Sequence, residues 1–143
     1  MDKIGTILPR APYFDQSMSN FETLYNQAFF LAKPRQLTHN SKVGDVGAAL
    51  ITQNGNIYSG LSLHCACGIG TCAEHAAILD MLKENETTIL EVDAVNDKGK
   101  VLQPCGRCRE LMMQVSKENS NTVVHLANDT TKILSDLLPD YWY

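Results

Sequence analysis

The chain has 143 residues, a length that builds one core of ordinary size and predicts one domain. Apolar residues make up 44% and charged residues 20%, without a low-complexity tract, which excludes a disordered or collagen-like chain. The formal net charge of −4 argues against a general electrostatic nucleic-acid binder, and no run of about 18 apolar residues marks a membrane span.

Residues 1–18, with Pro9, Pro12, Asp15 and Ser17, read as an irregular leader. No charged-then-apolar signal pattern opens it, which predicts a cytoplasmic protein. Ser19 or Asn20 then offers an N-cap with Glu22 in the first turn, and Phe21, Leu24, Tyr25, Ala28, Phe29 and Ala32 repeat at helical spacing. Pro34 stops that helix, and residues 35–45 read as a polar loop. Residues 46–52 and 57–63 read as strands around Asn54-Gly55, a strong hairpin signal. A loop rich in glycine and cysteine follows, and Thr71 is placed to cap a helix over residues 72–84.

Residues 89–96 form a third predicted strand, and Pro104 stands at or just before the start of a helix that runs to about residue 116. Residues 122–127 and 131–134 are the last two strands, separated by the turn Asn128-Asp129. The order α-β-β-α-β-α-β-β predicts an α/β protein with helices over both faces of a central sheet. The tail 137–143 ends in Tyr141, Trp142 and Tyr143.

Five cysteines in a chain of this kind point to thiolate or metal chemistry rather than a disulfide framework. Three of them stand at helix starts: Cys72 in Thr71-Cys72-Ala73-Glu74, and Cys105 and Cys108 in Pro104-Cys105-Gly106-Arg107-Cys108. A helix N-terminus favours the thiolate, and two such helices meeting end to end bring three thiolates together. Three protein ligands with a fourth position left for water is the pattern of a catalytic zinc. Glu74, two residues after Cys72, is placed to exchange a proton with that water without binding the metal. A structural zinc knuckle, or buried cysteines without a metal, is the alternative.

At these residues the chain resembles the cytidine deaminase superfamily. Val46-Gly47-Ala48-Ala49-Leu50 and Asn54-Gly55-Asn56-Ile57-Tyr58-Ser59-Gly60 are similar to its first hairpin. Cys72-Ala73-Glu74-His75-Ala76-Ala77-Ile78 and Pro104-Cys105-Gly106-Arg107-Cys108-Arg109-Glu110-Leu111 are similar to its two zinc helices, and Leu137-Leu138-Pro139 to its C-terminus. The resemblance implies a three-layer fold, with a five-stranded mixed sheet between helices and an antiparallel last strand pair. It implies Zn²⁺ on Cys72, Cys105 and Cys108, Glu74 as proton shuttle, and the Ala73 backbone against the pyrimidine edge. The implied reaction is hydrolytic removal of the amino group at C4 of a small cytosine-type substrate. The family's small-molecule members are homotetramers whose sites borrow residues from neighbours.

Cys72 in place of histidine, and a last connection too short for a parallel crossover, separate the chain from polynucleotide deaminases. They align it with cytidine deaminase and blasticidin-S deaminase, and the string Gly106-Arg107-Cys108-Arg109 and the aromatic tail lean toward the latter. Ser62 and His64 stand where cytidine deaminases carry the Asn and Glu that hold the ribose, and Gly44 stands where they carry a Phe. Cytidine and a modified cytosine nucleoside are therefore both open as substrates. His75 replaces an Arg that offsets the thiolate charge, so Arg107, and less directly Arg109, becomes the candidate for that task. Tyr141 and Trp142 either cover a neighbouring subunit's substrate or pack between subunits. Cys65 and Cys67 read as loop residues beside the pocket. A zinc-stabilised binding protein without activity is the reading from a different class, and a polynucleotide deaminase the third.

Overall fold

The computed structural model describes residues 19–142; the leader 1–18 and the terminal Tyr143 named above lie outside the described residues. Helix α1, Asn20–Leu31, opens on a capping box. Ser19 Oγ accepts from the Glu22 N–H at 3.3 Å, and the Glu22 carboxylate accepts from the Ser19 N–H at 3.2 Å. Strand β1, Arg35–Thr38, precedes the long β2, Ser41–Thr52, which turns through Asn54-Gly55 into β3, Ile57–Cys65. Gly55 takes φ +82, the left-handed conformation such a turn needs.

Helix α2 is Ala73–Lys83, β4 is Ile89–Asn96 and α3 is Gly106–Val115. Strands β5, Val123–Leu126, and β6, Thr130–Ile133, and the one-turn α4, Leu134–Leu137, complete the chain.

Strand β2 pairs antiparallel with β3 and with β4; β4 pairs parallel with β5, and β5 antiparallel with β6. These are the five expected strands and the expected antiparallel last pair. The sheet has a sixth member, β1, which folds onto the first residues of β2 (Gln36 opposite Lys42) in the segment expected to be a polar loop. All four β1 residues are exposed, so the strand carries no apolar alternation for sequence to reveal.

Helices cover both faces of the sheet, as expected. On one face Leu24 and Ala28 of α1 pack on Ala49 and Val95. On the other, Ala77, Ile78 and Met81 of α2 and Met112 and Met113 of α3 enclose Leu50, Val92 and Val124. Two glycines let the helices come this close. A Cβ at Gly47 would stand 1.9 Å from the Ala28 carbonyl oxygen, and one at Gly60 would stand 2.5 Å from the Ala77 nitrogen. Asn119, fully buried, knits the edge of the core. Its Oδ1 accepts from the Ile89 N–H at 2.8 Å, while Nδ2 donates to the carbonyls of Thr87 and Met112 at 3.0 and 2.9 Å. No helix among the described residues is long and apolar enough to cross a membrane.

Candidate active site

Cys72 and Cys105 are the N-cap residues of α2 and α3, both with extended backbone, and neither side chain caps its helix. Thr71 was the expected cap; it is instead held outside the helix by paired backbone hydrogen bonds to Leu63, each 2.9 Å. The ladder contact pins the start of α2 to the end of β3 and leaves the Cys72 thiol free to face its partner. Its sulfur lies 3.6 Å from that of Cys105. With the buried Cys108, one turn into α3, the three sulfurs all fall within 4.8 Å of one another.

Glu74, only 6% exposed, lies in the first turn of α2, and the Cys108 thiol donates to its Oε2 at 3.8 Å. Burial raises the Glu74 carboxyl above its usual range, against the pull of its own backbone N–H and the Cys108 thiol. Burial, then the charges of Glu74 and the other two cysteines, pushes Cys108 far up. Cys72 is also raised, by burial first and then by Cys105. Burial acts on Cys105 in the same direction, but the N–H groups of Cys108 and Arg107, with the neighbouring thiols, carry it below the ordinary value.

Glu74, Cys72 and Cys108 are thus held toward their neutral forms while Cys105 is the readiest thiolate, and a dication favours the thiolate at all three cysteines. Tetrahedral zinc with Zn–S bonds of about 2.3 Å sets its sulfurs roughly 3.8 Å apart. The 3.6 Å pair matches that edge, so the three cysteines fit a zinc ion.

A cavity of about 380 Å³ opens beside these groups, lined among others by Val46, Ser62, His64, Gln103 and Arg107. Cys72, Ala73, Glu74 and Cys105 form its floor. Ser62 Oγ accepts from the Val46 N–H at 3.0 Å, and His64 Nε2 lies 3.3 Å from Asp45 Oδ2, which also holds Lys42 at 2.7 Å. The Arg107 side chain lines the cavity and makes no hydrogen bond or ion pair among the described residues; it is its backbone N–H that serves Cys105.

Arg109 is a strut, its guanidinium donating to the carbonyls of Pro104 and Leu137 at 2.8 and 3.0 Å. His75 follows Glu74 on α2 with Nδ1 buried and unpartnered, outside the cavity lining. Cys65 joins the lining, and Cys67 is exposed at φ +60 in the 3-10 turn that follows. Tyr141 and Trp142 do not line the cavity; the Trp142 N–H donates to Glu110 on α3 at 3.3 Å. Val46 and Gln103 had no sequence signal as cavity residues, since each takes its place through strand pairing or a loop, and Asp45 meets the lining only through His64.

Residues 18–125 match the family described as the cytidine and deoxycytidylate deaminase zinc-binding region, and the chain belongs to it. It is similar to the cytidine deaminase of Halalkalibacterium halodurans, 32% identical over 99 residues, which cover 66% of this chain and 74% of that one. It is also similar to a cytidine deaminase of Mycobacterium tuberculosis, 30% identical over 97 residues, covering 66% and 70% of the two chains. The crystal structure of cytidine deaminase from Mycobacterium tuberculosis superposes with a TM-score of 0.73 at 25% identity, over 88% of this chain and 99% of that one. That from Burkholderia pseudomallei gives 0.69 at 25% identity, over 87% and 100%. With the cysteine cluster, these relations place the protein among the zinc-dependent hydrolytic deaminases.

Proposed function

We propose that the substrate is a free cytosine nucleoside or a close analogue, and that Glu74 carries the protons of its deamination. The observation that supports this most directly is the buried Glu74 carboxyl, held against a metal ligand at the floor of a cavity open to a small molecule. Cys72, Cys105 and Cys108 would hold zinc, which would supply a water acidified to a pKa of about 7. Glu74 would take a proton from water and pass it to ring N3, while the hydroxide left behind bonds to C4. It would then take the proton of the new C4 hydroxyl and hand it to the amino group, so that the C4–N bond breaks, the C4 carbonyl forms and ammonia leaves. A carboxyl with a raised proton affinity suits both halves of this transfer.

Ala73, almost fully buried on the cavity floor, presents its backbone to the pyrimidine edge. The Arg107 guanidinium, between two ligands in sequence, offsets the excess thiolate charge, with His75 beside Glu74 in the ring around the metal. Ser62 and His64 face the part of the substrate beyond the base. Their hydroxyl and imidazole, in place of an amide and a carboxylate, support a nucleoside with a modified sugar, blasticidin S included, as well as cytidine. The 81% exposure of Trp142, with Tyr141 also exposed, supports a role for both at a neighbouring subunit of a cytoplasmic homotetramer.

Ammonia release measured against cytidine, deoxycytidine, cytosine, sugar-modified cytidines and blasticidin S tests the reading. Turnover of at least one free nucleoside, without release from an oligonucleotide, is expected. Release from the oligonucleotide alone, or from none of the compounds by zinc-loaded protein, overturns it.

A further inference from the structure

The opposite face of the sheet holds a buried acid that the deamination does not use. Asp93 of β4 is 1% exposed, and among the described residues no side chain hydrogen-bonds to either carboxyl oxygen, the Ala94 N–H next along the strand being the one donor that acts on them. Register sets Ser59 of β3, Ala49 of β2 and Asp93 of β4 side by side, on the face where Ala49 packs against Leu24 and Ala28 of α1. From α1 above, Gln27 donates through Nε2 to Ser59 Oγ at 3.2 Å, while its own Oε1 is buried and unpartnered. Three orphaned oxygens thus lie under one helix, a costly arrangement in which a single proton can pair two of them.

The groups on this face leave Asp93 without a counter-charge. The buried residues of α1 are Thr23, Leu24, Gln27 and Ala28, all uncharged. Glu91, two residues earlier on β4, is occupied by His125 of β5 at 2.9 Å and by Asn20 of α1 at 2.7 Å. Strands β2 and β3 offer Ala49 and Ser59.

We propose that Asp93 is a proton-operated latch for α1: as the neutral acid it donates to Gln27 Oε1, tying β4 through the helix to β3, and as the carboxylate it releases the helix. Burial raises Asp93 to a pKa of about 7, against a smaller opposing contribution from the Ala94 N–H, so the latch works near neutrality. Release reaches the cavity through Gly47, which α1 touches at the Ala28 carbonyl. The adjacent Val46 holds Ser62, and Asp45 holds His64.

The test uses the zinc-loaded full chain. The folded state binds the Asp93 proton more tightly than the unfolded state. The stabilisation is therefore complete below the ordinary aspartate range and drains away as pH rises toward 7. The unfolding constant of the native protein should grow by up to about tenfold per pH unit between pH 5 and 7, and protection of the α1 amides from exchange should fall in parallel. Asp93→Asn, whose amide can replace the proton, should remove this slope. His125→Gln should keep it, because no hydrogen bond joins the Asp93 carboxyl to the Glu91–His125 pair.

A native-like slope in Asp93→Asn overturns the proposal. So does an Asp93 carboxyl carbon signal of the unaltered protein that titrates in the ordinary aspartate range, a measurement that needs no variant. The coupling to the cavity rests on the deaminase reading. A cytidine KM that stays flat above pH 7 while the α1 amides lose protection overturns that part alone.

Discussion

The thiol of Cys108 on α3 reaches Oε2 of Glu74 on α2 across 3.8 Å, so a metal ligand from one helix touches the buried carboxyl of the other. Neither helix alone holds a site. Their N-termini must stay in register for the three sulfurs and the carboxyl to share one corner of the cavity.

Loss of one sulfur should therefore empty the site. Cys108→Ser is expected to retain little zinc and to lose more than about 100-fold in activity, a larger penalty than removal of a supporting group costs. Metal analysis of the purified variant checks it. Because Cys72 and Cys108 are held protonated without a cation, zinc uptake near pH 7 should release protons, and affinity should fall as pH is lowered. Calorimetric titration in buffers of different ionisation enthalpy measures the proton count.

The seating of α2 on β3 depends on Gly60. A Cβ there would meet the Ala77 nitrogen at 2.5 Å and the Ala73 carbonyl oxygen at 2.7 Å, backbone atoms that cannot swing aside. Gly60→Ala should cost about 1–3 kcal/mol of stability, and should lower kcat/KM as well, because the displaced helix carries Cys72 and Glu74. Thermal melts and steady-state kinetics on the same preparation separate the two effects.

Asn119 is far from the chemistry and should act on stability alone. Asn119→Ala leaves the Ile89 N–H and the carbonyls of Thr87 and Met112 without their buried partner, an expected loss of about 3 kcal/mol. Urea unfolding measures it, and the KM of the folded fraction should not change.

The hairpin, the two cysteine-bearing helices and the order of elements along the chain were legible because each rests on local chemistry. Asn54-Gly55 makes a turn, Ser19 with Glu22 makes a capping box, and the cysteine spacing sets ligands at helix starts. Strand β1 was not legible, since its pairing with β2 is made by backbone and its side chains all face solvent. The Thr71 cap was misplaced for a related reason. A bridge to Leu63, distant in sequence, decides where α2 begins, and propensity at residue 71 does not. The cavity wall was half legible. Ser62 and His64 follow from the strand count, while Asp45, which orients His64 without lining the cavity, meets it only through the irregular pairing of β2 with β3 between Val43 and Gly47.

That wall offers a specificity test. His64→Glu combined with Ser62→Asn restores the amide and carboxylate pattern of cytidine deaminases at the cavity mouth. The double variant should shift kcat/KM toward cytidine over sugar-modified substrates by tenfold or more, about 1.4 kcal/mol in transition-state discrimination. Parallel ammonia-release assays give the ratio.

Glu74→Gln, assayed for bound zinc and for ammonia release from the best nucleoside, tests the proton transfers most directly. The isosteric amide should leave one zinc per chain and an unchanged fold while lowering turnover by roughly 10²–10⁴-fold. A zinc-loaded Glu74→Gln protein that deaminates at the native rate would contradict the assignment of the proton transfers to this residue.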